Sequence, residues 1–145
     1  MIRVDRISNV NPADFDICYA IVRSIKSPSK NFQQLAVLSP SWSLFKGYRN
    51  LVEAHQWNKG SFERYYVPTF LQEMKSPEAR AELNRLYWAS ERDNKKIALV
   101  CFCTDETLCH RSIIGGMLQG AGAYVEFENG CMRDYRSYYD AYRAV

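Results

Sequence analysis

No apolar run in this chain of 145 residues approaches the ~18 residues that a membrane-spanning helix needs, so no membrane partner is expected. The opening segment, MIRVDRISNVNPADFD, has no apolar signal core, and a cytoplasmic location is expected. Repeats, low-complexity tracts and linkers rich in Gly or Ser are missing too. The whole length, 1–145, therefore reads as one domain with one substantial core. Histidine is scarce, at two residues, and there is no CxxC or HxxxH pair of the kind that marks a zinc site by spacing alone. The phosphatase loop, a Cys followed by five residues and an Arg, is absent: the sixth residue after Cys103 is Cys109, and Arg111 stands eight after it. Neither sign of charge dominates. A net charge of +3 permits an anionic ligand but does not by itself argue for nucleic acid, which stays open as a partner.

What is present is an ordinary globular composition, 47% hydrophobic and 24% charged, with two excesses. Aromatic residues make up 14%, including ten tyrosines. There are also five cysteines, Cys18, Cys101, Cys103, Cys109 and Cys131. An odd number, with three inside nine residues, fits reduced intracellular thiols better than a secreted disulfide framework.

Residues 17 to 22 read as a first buried strand running into Arg23. The connection from 26 to 42, which contains Pro28, is long and irregular, a length often associated with function. Ser41 is placed to cap a helix from about Ser43 to Ala54, and Ser61 to cap another. In that second helix Phe62, Tyr65, Tyr66 and Phe70 share a face, and Pro68 is expected to bend it or end its first part. A third helix is expected from Pro77 to a turn at Asp93-Asn94. Ile97 to Phe102 reads as a strand, and Ala123 to Phe127 as another, with Gly120 and Gly122 ending the helix between them. The tail carries Tyr135, Tyr138, Tyr139 and Tyr142 at helical spacing. Strands separated by helices indicate an α/β domain with a mostly parallel sheet, in which ligands bind at the carboxyl ends of the strands.

The chemistry concentrates in IALVCFCTDETLCHRSIIGGMLQGAG, residues 97 to 122. A strand, a short polar loop and a helix start bring together a thiol, an imidazole and a guanidinium. The helix N-terminus and Arg111 favour a thiolate at Cys109. His110 is available as a base or an anion ligand. Cys101 and Cys103 face one side of a strand, and with Cys109 and His110 they form a set of four soft ligands. No metal site is assigned to them, because small buried apolar filling is the commoner fate of free cysteine. Arg23, at another strand end, is suited to clamping an anion. Trp42, Trp57, Tyr65 and Trp88 read as core or interface rather than base-stacking platforms, and the aromatic tail leaves oligomerisation open.

These segments resemble the domain-of-unknown-function 488 family. LVCFCTDETLCHRSII is similar to its signature, in which a strand ending in Cys leads through a short acidic loop to Cys-His-Arg. LSPSWSLFKGYRN followed by FERYYVPTFLQEM resembles its Pro-Ser loop, helix and Phe-x-x-Arg-Tyr segment. The resemblance implies a three-layer α/β, Rossmann-like domain and no established activity. It also implies a bacterial or phage source, since compact members occur there. The matching positions are Cys101, Cys109, His110, Arg111, Arg23, Ser39, Pro40, Ser41 and Tyr65. Many relatives carry Glu where this chain has Cys103. The combined expectation is a pocket for an anionic small molecule, a nucleotide or a nucleic-acid-derived group, with no cofactor. Catalytic roles fall on Cys109, His110 and Arg111. The ligand is expected to meet Arg23, Ser39, Ser41, Tyr65, Cys101 and Cys103. A non-catalytic binding module using the same pocket is the alternative.

Overall fold

The computed structural model describes residues 1–24 and 31–145. The expected loop around Pro28 lies outside the described residues. Five parallel strands form one sheet in the order β3-β2-β4-β1-β5: β1 Ile2–Arg6, β2 Ile17–Ala20, β3 Gln33–Gln34, β4 Ile97–Cys101 and β5 Val125–Glu126. Helices flank the sheet, and the fold is a three-layer, Rossmann-like α/β arrangement. β4 is buried along its whole length, which is why it reads as an unbroken apolar run. Its neighbour β1 is a strand that the sequence reading did not place. In IRVDR the charged residues alternate with the apolar ones, so hydrophobicity alone understates it.

The buried polar residue of β1, Asp5, explains how a carboxylate fits in mid-sheet. It accepts hydrogen bonds from the Arg6 backbone N–H at 2.7 Å, Asn9 Nδ2 at 2.9 Å and the Asn129 backbone N–H at 2.9 Å. Three donors offset its desolvation, and the last of them ties the end of β1 to the Asn129-Gly130 turn, where φ is 55° and 78°.

Helix α1 spans Trp42–Glu53 and is capped by Ser41, whose Oγ accepts from the Leu44 N–H at 3.1 Å. The next helical segment begins earlier than expected. Its first turn, α2 (Lys59–Ser61), is capped by Asn58, and Ser61 completes a reciprocal capping box from inside the helix. A π-helical turn, Phe62–Tyr66, then leads into α3 (Val67–Glu73). The wide turn accommodates Pro68, which has no N–H to donate, without ending the helix. Helix α4, Pro77–Glu91, starts at Ser76, and Asn94 (φ 53°) turns the chain back into β4. Helix α5 covers His110–Gly120 and α6 covers Ser137–Ala144. No helix of the described residues is long and apolar enough to cross a membrane.

Helix α5 packs on β1, β4 and β5 and against α6, and glycines permit both approaches. A Cβ on Gly115 would stand 2.6 Å from Phe127 Cε1 and 2.9 Å from Val4 Cγ2, and one on Gly116 would overlap the Tyr135 carbonyl oxygen. The tail is held a second time by Glu106, a buried carboxylate in the loop before α5. It accepts from the Glu128 N–H and the Tyr135 hydroxyl, each at 2.9 Å. Burial and that carboxylate push the Tyr135 phenol above its usual value.

Alanine is ordinarily better than glycine inside a helix by ~1 kcal/mol. Gly116→Ala is expected to reverse that sign and to destabilise the protein by about 1–3 kcal/mol through overpacking. Urea unfolding should show a lower midpoint at unchanged slope. An unchanged or higher midpoint would mean that the tail does not press on α5 in solution.

Candidate functional site

All five strands are parallel, so their carboxyl ends lie along one edge. There the chain after β2 (Val22, Arg23) meets the chain after β4 (Phe102, Cys103), the start of α5 and the first two turns of α1. Between them lies a cavity of about 290 Å³, close to the lower end of the usual ligand-pocket range.

Its walls are largely aromatic. Trp42, Phe45 and Tyr48 come from one face of α1, Tyr66 from the π turn and Phe102 from the strand end. Trp42 is 59% exposed and Phe102 52%, which puts both at the mouth. Tyr66 is buried and belongs to a run of rings with Trp57, Phe62 and Phe70. The spacing of positions 42, 45 and 48 behind the capping Ser41 was the available signal for this wall. Trp57 packs on the core, as the sequence suggested, whereas Trp42 and Trp88 are more than half exposed.

The floor is sulfur. Cys101 ends β4, Cys109 is the residue before α5, and Cys103 lies in the loop between them. All three line the cavity, with their Sγ atoms within 4.8 Å of one another. Cys101 Sγ and Cys109 Sγ are 3.4 Å apart. His110 Nε2 donates to the Ile21 carbonyl at 2.7 Å, which leaves Nδ1 facing Cys109 Sγ at 3.6 Å.

Arg111 is fully buried and is not part of the cavity wall. It lies with Nη1 donating to Cys101 Sγ at 3.3 Å and to the Cys103 carbonyl at 2.6 Å. Its Nε and Nη2 are buried with no partner among the described residues. Among the described residues no carboxylate forms an ion pair with it, so the sulfurs are its available counter-charge.

The three thiols do not ionise alike. Hydrogen bonds from Cys103 and Cys109, aided by the charges of His110 and Arg111, hold Cys101 well below the usual thiol value against the opposing effect of burial. The same bond with Cys101 pushes Cys103 up to about 12. Burial, and then donation to Cys101, push Cys109 well above the usual value. This differs from the sequence expectation, which put the thiolate on Cys109. A residue before a helix meets the positive end of the helix dipole, but here burial and a neighbouring thiolate outweigh it.

The remaining residues of the expected site divide. Arg23 lines the cavity and is oriented by the carbonyls of Pro40 (from Nε, 3.2 Å) and Ser39 (from Nη2, 3.4 Å). Ser39 contributes that carbonyl while its hydroxyl donates to Ala36 O. Ser41 is engaged with Glu73, its N–H donating to Oε1 at 2.8 Å and its hydroxyl to Oε2 at 2.5 Å. Tyr65 lies against α1 at Gly47 and does not line the cavity. One step along the helix turns a side chain by about 100°, so its neighbour Tyr66 takes the inward position. The structure thus brings Arg23, Cys101, Cys103, Cys109 and His110 around one cavity. Arg111 sits against the sulfur cluster, and Ser41 and Tyr65 stand outside the cavity.

The family profile described as DUF488-N3a, "Active DUF488-N3 subclade", matches residues 15–122. No curated protein matches the chain, and no solved structure does.

A depressed Cys101 loses its thiolate only as pH falls through its lowered value, so its alkylation is expected to persist well below the ~8.5 of a free thiol. Cys103→Ala removes one of the neighbouring thiols responsible and is expected to move the Cys101 profile to higher pH. Cys18, pushed up by burial, serves as the internal control. Iodoacetamide labelling read by peptide mass spectrometry checks this. A Cys101 profile unchanged by the substitution would remove the sulfur-sulfur bonds from the account.

Proposed function

The chain belongs to the DUF488 family, and on that premise we propose that it is a cysteine-dependent enzyme. Its strand-end pocket takes an anionic ligand with a flat aromatic part, a nucleotide or a nucleic-acid-derived group. The observation that carries this reading is the convergence of three cysteine sulfurs, backed by a buried arginine, on the floor of an aromatic cavity. A merely structural thiol cluster has no need of an opening to solvent, nor of a guanidinium desolvated without a carboxylate.

In this reading Trp42 and Phe102 stack on the flat part of the ligand, and Arg23 meets its anionic part. Cys101 is the nucleophile, a role that passes to it from Cys109 because burial keeps Cys109 protonated. Its sulfur forms a bond to an electrophilic carbon of the ligand as that carbon's bond to a leaving group breaks. The leaving group departs with the electron pair and takes a proton from the thiol of Cys103 or Cys109. Water then displaces the sulfur, and the thiolate and its donors are restored. Arg111 and His110 act as positioning residues. Arg111 holds negative charge on Cys101, and His110 fixes Cys109 against the Ile21 carbonyl.

The test is alkylation of each cysteine with and without a panel of nucleotides, followed by turnover assays on whichever nucleotide protects. Protection of Cys101, with turnover lost by at least ~10³-fold in Cys101→Ser while binding is retained, is the expected result. Protection without turnover would convert the reading into a non-catalytic binding module. Absence of protection by any nucleotide would remove the ligand class.

A further inference from the structure

We infer that a second cleft, away from the strand-end pocket and independent of the reading given to it, binds single-stranded nucleic acid. The cleft has a volume of about 610 Å³ and is formed by α4, the C-terminal half of α5 and α6. Its floor is apolar, its walls carry Trp88, Tyr139 and Tyr142, and its rim carries Lys75, Arg80 and Arg143.

Three observations select the occupant. The first is charge. The chain has 16 acidic residues against 19 basic ones, yet among the described residues no Asp or Glu lines this cleft. Among the described residues none of its three cations forms an ion pair. The cleft therefore carries uncompensated positive charge suited to an anion. The second is the presence of flat apolar faces beside that charge. Trp88 is 51% exposed. Lys75 Nζ lies 4.2 Å from the Tyr142 ring centroid, and the Arg143 guanidinium carbon 5.6 Å from that of Tyr139. Cations resting on rings keep both groups at the surface, where a base can stack on the ring as a phosphate draws the cation to itself. An acidic peptide would use the charges and leave the rings idle; a strand with bases and phosphates uses both. The third is place. From His110 at the strand-end cavity to Leu118 at the cleft is eight residues of α5, about 12 Å along the helix. The two openings are therefore separate and separately mutable.

The experiment is fluorescence anisotropy with a labelled oligothymidylate of about 12 nucleotides, matched to the usual site sizes of single-strand binders. It is titrated across a salt series beside a labelled polyglutamate of equal length. Saturable oligonucleotide binding is expected. Trp88→Ala should weaken it by about 5- to 100-fold. Arg80→Gln and Arg143→Gln should each reduce the slope of log affinity against log salt by about 0.7. All three positions are exposed, and circular dichroism confirms that the variants remain folded. Trp42→Ala, which removes a wall of the strand-end pocket, should leave oligonucleotide binding unchanged. Absence of binding at low salt would overturn the proposal. So would equal binding of polyglutamate with Trp88→Ala silent, which would make the cleft an acidic-peptide surface. Loss of binding in Trp42→Ala but not in Trp88→Ala would put the strand in the other cavity and also overturn it.

Discussion

A positive charge buried without a carboxylate is the constraint around which the site is arranged. Taking a guanidinium out of water costs several kcal/mol unless an anion and hydrogen-bond acceptors meet it. Among the described residues Arg111 meets the Cys103 carbonyl and the Cys101 sulfur, with two of its nitrogens unpartnered. The most economical anion within reach is a thiolate, and the two other thiols are positioned to stabilise it by donating to it. The neighbouring thiols, burial and, behind them, the charges of His110 and Arg111 thus give three chemically identical side chains unequal ionisation. The asymmetry follows from contact and burial rather than from residue type.

The position of Arg111 depends in turn on how closely α5 can approach the sheet. The helix starts at the sulfur cluster and runs across β1, β4 and β5, so any side chain at Gly115 would lift it from Val4 and Phe127. On its other side the tail is pressed against Gly116 and anchored through Tyr135 to Glu106. Glu106 stands in the same loop that carries Cys103 towards Cys109. The loop of the site and the C-terminal helix are therefore mechanically joined.

Much of this could be read in advance because it depends on periodicity and local chemistry. The apolar run at 97 to 102 and the strand ahead of Arg23 made strands. The helix cap at Ser41 follows from residue type, and the parallel α/β plan follows from the alternation of elements. β1 escaped because its exposed-type residues sit in a central strand, where Asp5 is satisfied by partners as distant as Asn129. The choice between Tyr65 and Tyr66 escaped because a π turn shifts the helical phase within one turn, which no residue count reveals. Trp42 escaped for a different reason. Its exposure is set by the mouth of a cavity whose opposite side comes from Phe102, sixty positions later.

By itself the sequence determined the class of fold and the neighbourhood of the chemistry. A strand, a short loop and Cys-His-Arg at a helix start are local features, and local spacing specifies them. Only the tertiary structure decided which sulfur carries charge, which arginine faces the cavity and which lies against the sulfurs, and which aromatic rings line the walls. These depend on desolvation and on contacts between segments far apart in the chain, and neither quantity exists until the backbone has closed around them.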